Sequence, residues 1–354
     1  MREITYTAAI GEALFEEMER APSVFQIGED IGRFGGVWQT QKGHLQRFGA
    51  MRVRRTPVSE SGFIGVAVGA ALAGLRPVVE IMYVDFITTA IDQVVNQAAK
   101  LSLMSGGAVK VPLVIRGQQG AGTREAAQHS QSLEAWFVHT PGLKVVIPST
   151  PYDAKGLLKS PIRDDEPVIF LEHRLLYGVK GEVPDKEYLV PIGKGVIRHP
   201  GAHLTVISTS YFLRLVLAAA QELAPEGIEV EVMDPRTLMP LDLGLIIESL
   251  RKTHRLLVIQ GATAVAGMGA EIVRQVVENA FNLLDAPPRV IGGAHVPMPY
   301  SPGLEDLCLP QTDDIKAAMR RMAQTASGWP SLPGGPGATV RRATNQRAPL
   351  FGPP

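Results

Sequence analysis

The sequence predicts an α/β protein built from two parallel-sheet domains. Its strands read as short, continuous apolar runs such as "VPLVIRG" and "PVIFLEH", a pattern expected when a sheet is covered on both faces. These runs alternate with helical segments, lapse once between His173 and Gly201, and then resume.

The first domain opens with a helix near Thr7–Arg20 and a strand, "VFQIGED", that ends in Gly28, Glu29 and Asp30. "TPVSESGFIGVAVGAALAG" follows, with Ser59 as a capping residue, Glu60 in the first turn and a buried helix from Ile64 to Leu75. "RPVVEIM" is the next strand. Asp85–Lys100 is expected to be one helix, because Ala90, Ile91, Val94, Val95 and Ala98 recur at helical spacing. After "VPLVIRG" comes a long loop, "GQQGAGTREAAQHSQSLEAW", then the strand "KVVIPS", a helix around Asp153–Leu158 and the strand "PVIFLEH".

The charged, glycine-punctuated stretch "RLLYGVKGEVPDKEYLVPIGKG" sets the boundary: a first domain over 1–185, a linker over 186–200 and a second domain over 201–326. The second domain repeats the alternation. Its strands are "LTVIST", "VEVMD", "RLLVIQ" and "RVIGG"; its helices are Phe212–Leu223, Leu243–Arg251 and Ala270–Phe281, with a closing helix over Gln311–Ala323. Residues 327–354 are rich in proline and glycine without an apolar period, and read as a disordered tail.

Composition excludes several classes of function. The 35 Lys and Arg residues balance 35 Asp and Glu residues, which gives no basic field for nucleic acid. Cys308 is the only cysteine, so neither an intramolecular disulfide nor a cysteine metal knuckle can form. No run of about 18 apolar residues reads as a membrane span, and the N-terminus lacks a signal-peptide pattern; a cytoplasmic location is expected.

Four residues stand out as candidates for chemistry. Glu60 is a lone carboxylate in a small, apolar, glycine-rich wall, although a first-turn acid also complements a helix dipole. His129 lies in the long loop, where a proton-transferring imidazole can hang from a rigid sheet; a surface or capping histidine is the alternative. Glu29 and Phe86 lie at C-terminal strand ends, the edge that open α/β sheets use for sites. "GMGAEI", with Gly267, Gly269 and the later Asp285, invites a dinucleotide reading, but Ile272 occupies the third glycine position. Neither a Walker loop nor a GxSxG elbow occurs.

The order "IGEDIG", "TPVSESGFIG", "GLRPVVEIM", "DQVVNQAAK", "VPLVIRG", "AAQHSQSLEAW", "VIFLEH", "LMPLD" and "VPMPY" resembles the beta subunit of thiamine-diphosphate-dependent 2-oxoacid dehydrogenases. The resemblance runs from about residue 3 to about residue 325. It implies a transketolase-like pyrimidine-binding domain followed by a transketolase C-terminal domain. Glu60 would hydrogen-bond the cofactor's pyrimidine ring nitrogen, Phe86 would pack on that ring and Glu29 would lie near it. His129 would orient or protonate groups as the acyl unit passes to lipoamide. A potassium site would use Leu113, Pro161, Ile162 and Asp164, with Glu166 where an asparagine is expected.

The family's magnesium and diphosphate site uses a GDG motif, which this chain lacks. The resemblance therefore implies an alpha subunit that brings magnesium, an alpha2-beta2 heterotetramer and a lipoyl acyltransferase core as partner. "AAQHSQ" is closer to pyruvate and acetoin enzymes than to branched-chain ones, so pyruvate is the expected substrate. An acetoin dehydrogenase beta subunit and a non-catalytic scaffold of the same fold are the alternatives. Two departures lie in the second domain: "VIQGATAVAG" replaces an acidic "EG", and Met239 stands where arginine is common.

Overall fold

Apolar strands in this chain pair across long sequence separations, and the computed structural model describes residues 1–324. The expected tail over 327–354, and the last two residues of the expected second domain, lie outside them. Among the described residues the strands form sheets of seven, five and two members. The seven-stranded sheet runs Thr237–Met239, Lys144–Val146, Val168–His173, Val114–Gln119, Arg76–Ile81, Val24–Glu29, Val53–Thr56. All its neighbours are parallel except Thr237–Met239, which pairs antiparallel with Lys144–Val146. The five-stranded sheet runs Arg289–Gly293, Leu256–Thr263, Leu204–Ser208, Val230–Asp234, Val196–His199, the last pair antiparallel. Arg2–Thr5 and Lys180–Val183 make the small ribbon.

The expected α/β class is therefore found, with two antiparallel edges added. The segment expected to be a linker, 186–200, gives Val196–His199 to the second sheet. Thr237–Met239 belongs to the second half of the sequence yet completes the first sheet, and one core cluster continues from Phe25 and Ile81 through Leu238, Ile246 and Met268.

Helix Glu60–Leu72 buries Phe63, Ile64, Ala67, Val68 and Ala71, residues spaced to share one face, and stops where Gly74 turns at φ +92°. Ser59 occupies the cap position, but its hydroxyl makes no capping bond. The segment expected as one helix over Asp85–Lys100 is instead a 3-10 turn, Val84–Ala90, a π turn, Gln93–Ala98, and a short α turn, Leu101–Met104. Thr88 and Thr89 donate to the carbonyls of Asp85 and Phe86 at 2.9 Å, local bonds that compete with an α ladder.

At the centre of the first sheet Arg116 is fully buried between Glu80 and Glu172, which lie on the two flanking strands. Its Nε and Nη2 reach the two Glu172 oxygens at 2.6 and 2.8 Å. Burial by itself lowers the pKa of this guanidinium, and the two carboxylates raise it by more, so it stays charged. Neutral donors complete the cluster: Gln41 and Thr40 on Glu80, Tyr177 on Glu172.

Removing the cation would leave two buried carboxylates without it. Arg116→Met is expected to lower unfolding free energy by about 3–5 kcal/mol, measured by denaturant titration. A loss no larger than that of an ordinary surface substitution would contradict the role assigned to Arg116.

Candidate active site

The four candidate residues converge. Glu29 ends strand Val24–Glu29, Glu60 begins helix Glu60–Leu72, Phe86 lies in the turn after strand Arg76–Ile81, and His129 is in the loop after strand Val114–Gln119. Thr89 links two of the four elements, the Phe86 turn and the Glu60 helix: its Oγ1 lies 3.4 Å from Glu60 Oε2 and 2.9 Å from the Phe86 carbonyl oxygen. The His129 ring meets Phe86 edge-on at 5.2 Å and Tyr83 at 5.1 Å.

The carboxyls form an acidic pair. Glu29 is raised to about 7, first by burial and then by the negative charges of Glu60 and Asp30. A carboxyl that keeps its proton near neutrality can donate a hydrogen bond, whereas an ordinary carboxylate can only accept.

Several residues at the site are not among the sequence candidates. Asp85 is buried and raised by that burial, while its Oδ1 accepts from Gln131 N and Nε2 at 3.0 Å. Arg174 stands 4.6 Å over the Tyr83 ring, pairs with Glu125 and donates to the Gly120 carbonyl. Tyr83 Oη donates to Glu125 at 3.2 Å. Tyr83 and Asp85 flank Phe86 closely enough for the same strand-end argument to find them. Arg174 and Glu125 pair 49 positions apart in number and have no local pattern.

Two family models match the chain: "Transketolase, pyrimidine binding domain" over residues 2–180 and "Transketolase, C-terminal domain" over residues 193–315. A rice relative (Oryza sativa subsp. japonica), pyruvate dehydrogenase E1 component subunit beta-2, mitochondrial, is 47% identical, covering 92% of this chain and 88% of its own. The human mitochondrial E1 beta subunit is 47% identical, covering 90% of each chain. The chain belongs to the pyruvate dehydrogenase E1 beta-subunit family. The E1 beta subunit of Rhizobium meliloti (strain 1021) is 46% identical, covering 90% of this chain and 70% of that relative. A solved structure described as a split gene transketolase, inactive beta4 tetramer, shares the fold with a TM-score of 0.75 at 21% identity, covering 90% of this chain and 98% of that one.

The donor set of this E1 beta-family chain suits half of thiamine diphosphate. Glu60 and the proton-holding Glu29 can meet the polar edge of an aminopyrimidine, and Phe86 offers a ring face beside them. Among the described residues no group of three or more His, Cys, Asp or Glu side chains could hold a metal ion.

The dinucleotide reading does not survive the geometry. The Gln260 side chain plugs the start of helix Met268–Ala280, its Oε1 accepting from Gly269 N at 2.6 Å and its Nε2 donating to the Thr263 carbonyl at 2.6 Å. A Cβ on Gly267 would meet Gln260 Nε2 at 2.3 Å and one on Gly269 would meet Val290 at 2.4 Å, so these glycines pack protein against protein. These bonds use both functions of the Gln260 amide, the oxygen as acceptor and the nitrogen as donor.

The oxygens expected to hold potassium already have protein partners. The Leu113 carbonyl accepts from Val168 N, that of Pro161 from Asp164 N, and those of Ile162 and Asp164 from the Arg76 guanidinium. Lys144 Nζ sits 2.7 Å from Asp164 Oδ2 and 2.8 Å from Glu166 Oε2. The expected asparagine is a glutamate here, and an internal ammonium matches that extra charge.

Exchanging potassium for sodium at constant ionic strength should leave the thermal midpoint unchanged, while Lys144→Met should cost about 0.5–1 kcal/mol, since the pair is partly exposed. A midpoint that falls on potassium withdrawal would restore the cation site. For Glu29 the folded chain binds a proton that the unfolded chain releases near pH 4.5, so its stabilising contribution is lost as pH rises from there through about 7. Glu29→Gln should flatten that part of the stability profile, measured by denaturant midpoints across the window; parallel profiles for the two proteins would contradict the shift.

Proposed function

We propose that this chain is the beta half of the decarboxylating component of a pyruvate dehydrogenase complex, active only with an alpha subunit that brings magnesium and the diphosphate site. The observation that carries it is the half-site: Glu29, Glu60, Phe86 and His129 converge in one place, while the sequence has no GDG motif. When bound, thiamine diphosphate supplies the electron sink for decarboxylation of a 2-oxoacid.

Glu60 would present its carboxyl to the pyrimidine ring nitrogen and hold or release a proton there, with the Thr89 hydroxyl 3.4 Å from one oxygen. Glu29 would donate a hydrogen bond from its retained proton and limit how much negative charge builds beside the ring. Phe86 would exclude water from the ring face. His129, braced by Tyr83 and Phe86, would transfer a proton as the acetyl group passes to a lipoyl acyltransferase. The names of the rice, human and Rhizobium relatives favour pyruvate as substrate.

The partner reading has a surface to support it. Val58, Val66, Leu72 and Leu75 are 77%, 58%, 40% and 41% exposed along the otherwise apolar Glu60 helix and its flanks, next to the half-site. An alpha chain laid on this face, in an alpha2-beta2 heterotetramer, would cover them and complete the site. Among the described residues no helix is long and apolar enough to cross a membrane. A lone cysteine suits the cytoplasm we propose for it.

Glu60→Gln should abolish thiamine-dependent decarboxylation of pyruvate in the reconstituted alpha/beta enzyme, with assembly retained on a sizing column. Near-normal turnover in that variant would sink the role given to Glu60.

A further inference from the structure

The loop that carries His129 is held by the second domain. Glu305, in helix Pro302–Cys308, is fully buried, and its carboxylate accepts from the backbone N–H groups of Gly122 at 2.6 Å and Arg124 at 3.1 Å. The Arg124 guanidinium returns to the same helix, donating to Glu305 at 2.8 Å, to Asp306 at 2.7 Å and to the Pro302 carbonyl at 3.0 Å. Within this loop Gly122, Arg124 and Ala126 have φ of +107°, +63° and +61°. Left-handed backbone at an arginine and an alanine persists only where surrounding bonds impose it.

We propose that Glu305 is a positioning residue for the His129 imidazole, acting through the loop as a latch between the domains. The opposite side of the loop is tied to the first domain by Arg174 on Glu125 and on the Gly120 carbonyl, and by Asp85 on Gln131. The stretch from Gly120 to Glu125 is therefore held by both domains, and His129 lies just beyond it, on the span between Glu125 and Gln131. A change in domain orientation moves the imidazole relative to Phe86 and Glu60. This inference rests on the reading of His129 as a group that acts in acyl transfer.

The test is a double-mutant cycle in the reconstituted alpha/beta enzyme with pyruvate. Two readouts are taken: reduction of an artificial electron-accepting dye, which reports decarboxylation, and reductive acetylation of an isolated lipoyl domain, which reports transfer. Glu305→Gln should lower transfer by about 100-fold, the scale expected for an ångström-sized misplacement, and lower dye reduction much less. In a His129→Ala background it should cost nothing further, because the latch acts only through the imidazole. Equal losses in both backgrounds would overturn the latch while leaving the functional reading intact. A His129→Ala enzyme with normal transfer would overturn the functional reading, and the latch with it.

If Glu305→Gln fails to fold, Arg124→Gly serves instead. Glycine accepts φ +63° without strain and removes the guanidinium bonds to Glu305, Asp306 and Pro302. It should reduce transfer in the same direction, and again only when His129 is present. An Arg124→Gly enzyme with unchanged transfer, or one equally impaired without His129, would contradict the proposal.

Discussion

Placing a guanidinium with no access to water at the centre of a parallel sheet constrains everything around it. Arg116 needs carboxylates on both sides, and the register of three strands supplies them, with Glu80 directly opposite and Glu172 two residues along the other neighbour. A buried ion cluster of this kind adds little net stability over apolar packing, yet it penalises every register that separates the charges. It also reaches outward. Glu80 collects Thr40 and Gln41, which fixes the loop after Glu29, while Glu172 immediately precedes His173 and Arg174, the latter clamping the His129 loop. The candidate site is thus suspended from the charged centre of the sheet.

The proposed half-site is consistent with what this chain presents. The chain provides an acidic pair, a ring face and an imidazole, all at C-terminal strand ends or in the loops beyond them. It also leaves apolar side chains uncovered along the helix that begins with Glu60. A carboxyl pair that retains one proton is well suited to a ring with both accepting and donating nitrogens. The more strongly charged portion of such a cofactor needs a cation, and the relatives' designation as beta subunits is consistent with a partner that supplies it.

The fold class was legible because buried parallel strands advertise themselves as apolar runs. The antiparallel edges were not: Val196–His199 and Thr237–Met239 are short, only partly apolar, and defined by their partners more than by their residues. The Asp85–Lys100 helix failed where threonine hydroxyls outcompeted the helical ladder, despite correct apolar spacing. Glu60, Phe86, His129 and Glu29 could be singled out as candidates because each sits at a strand end, in a glycine-rich wall or in a long loop. Arg174 and Glu305 were hidden, since what marks them is a partner about 50 or about 180 residues away. The potassium expectation came from the resemblance alone, and no sequence pattern announces Arg76 on the Ile162 and Asp164 carbonyls or Lys144 on the Asp164 and Glu166 carboxyls.

Division of one cofactor site between two chains is the central proposal. Its most direct measurement is calorimetric titration of thiamine diphosphate with magnesium into this chain, into an alpha chain carrying the GDG motif, and into their mixture. Saturable binding in the mixture at one cofactor per alpha/beta pair, with none to this chain alone, is the predicted result. Stoichiometric binding to this chain by itself, or no binding to the mixture, would contradict it.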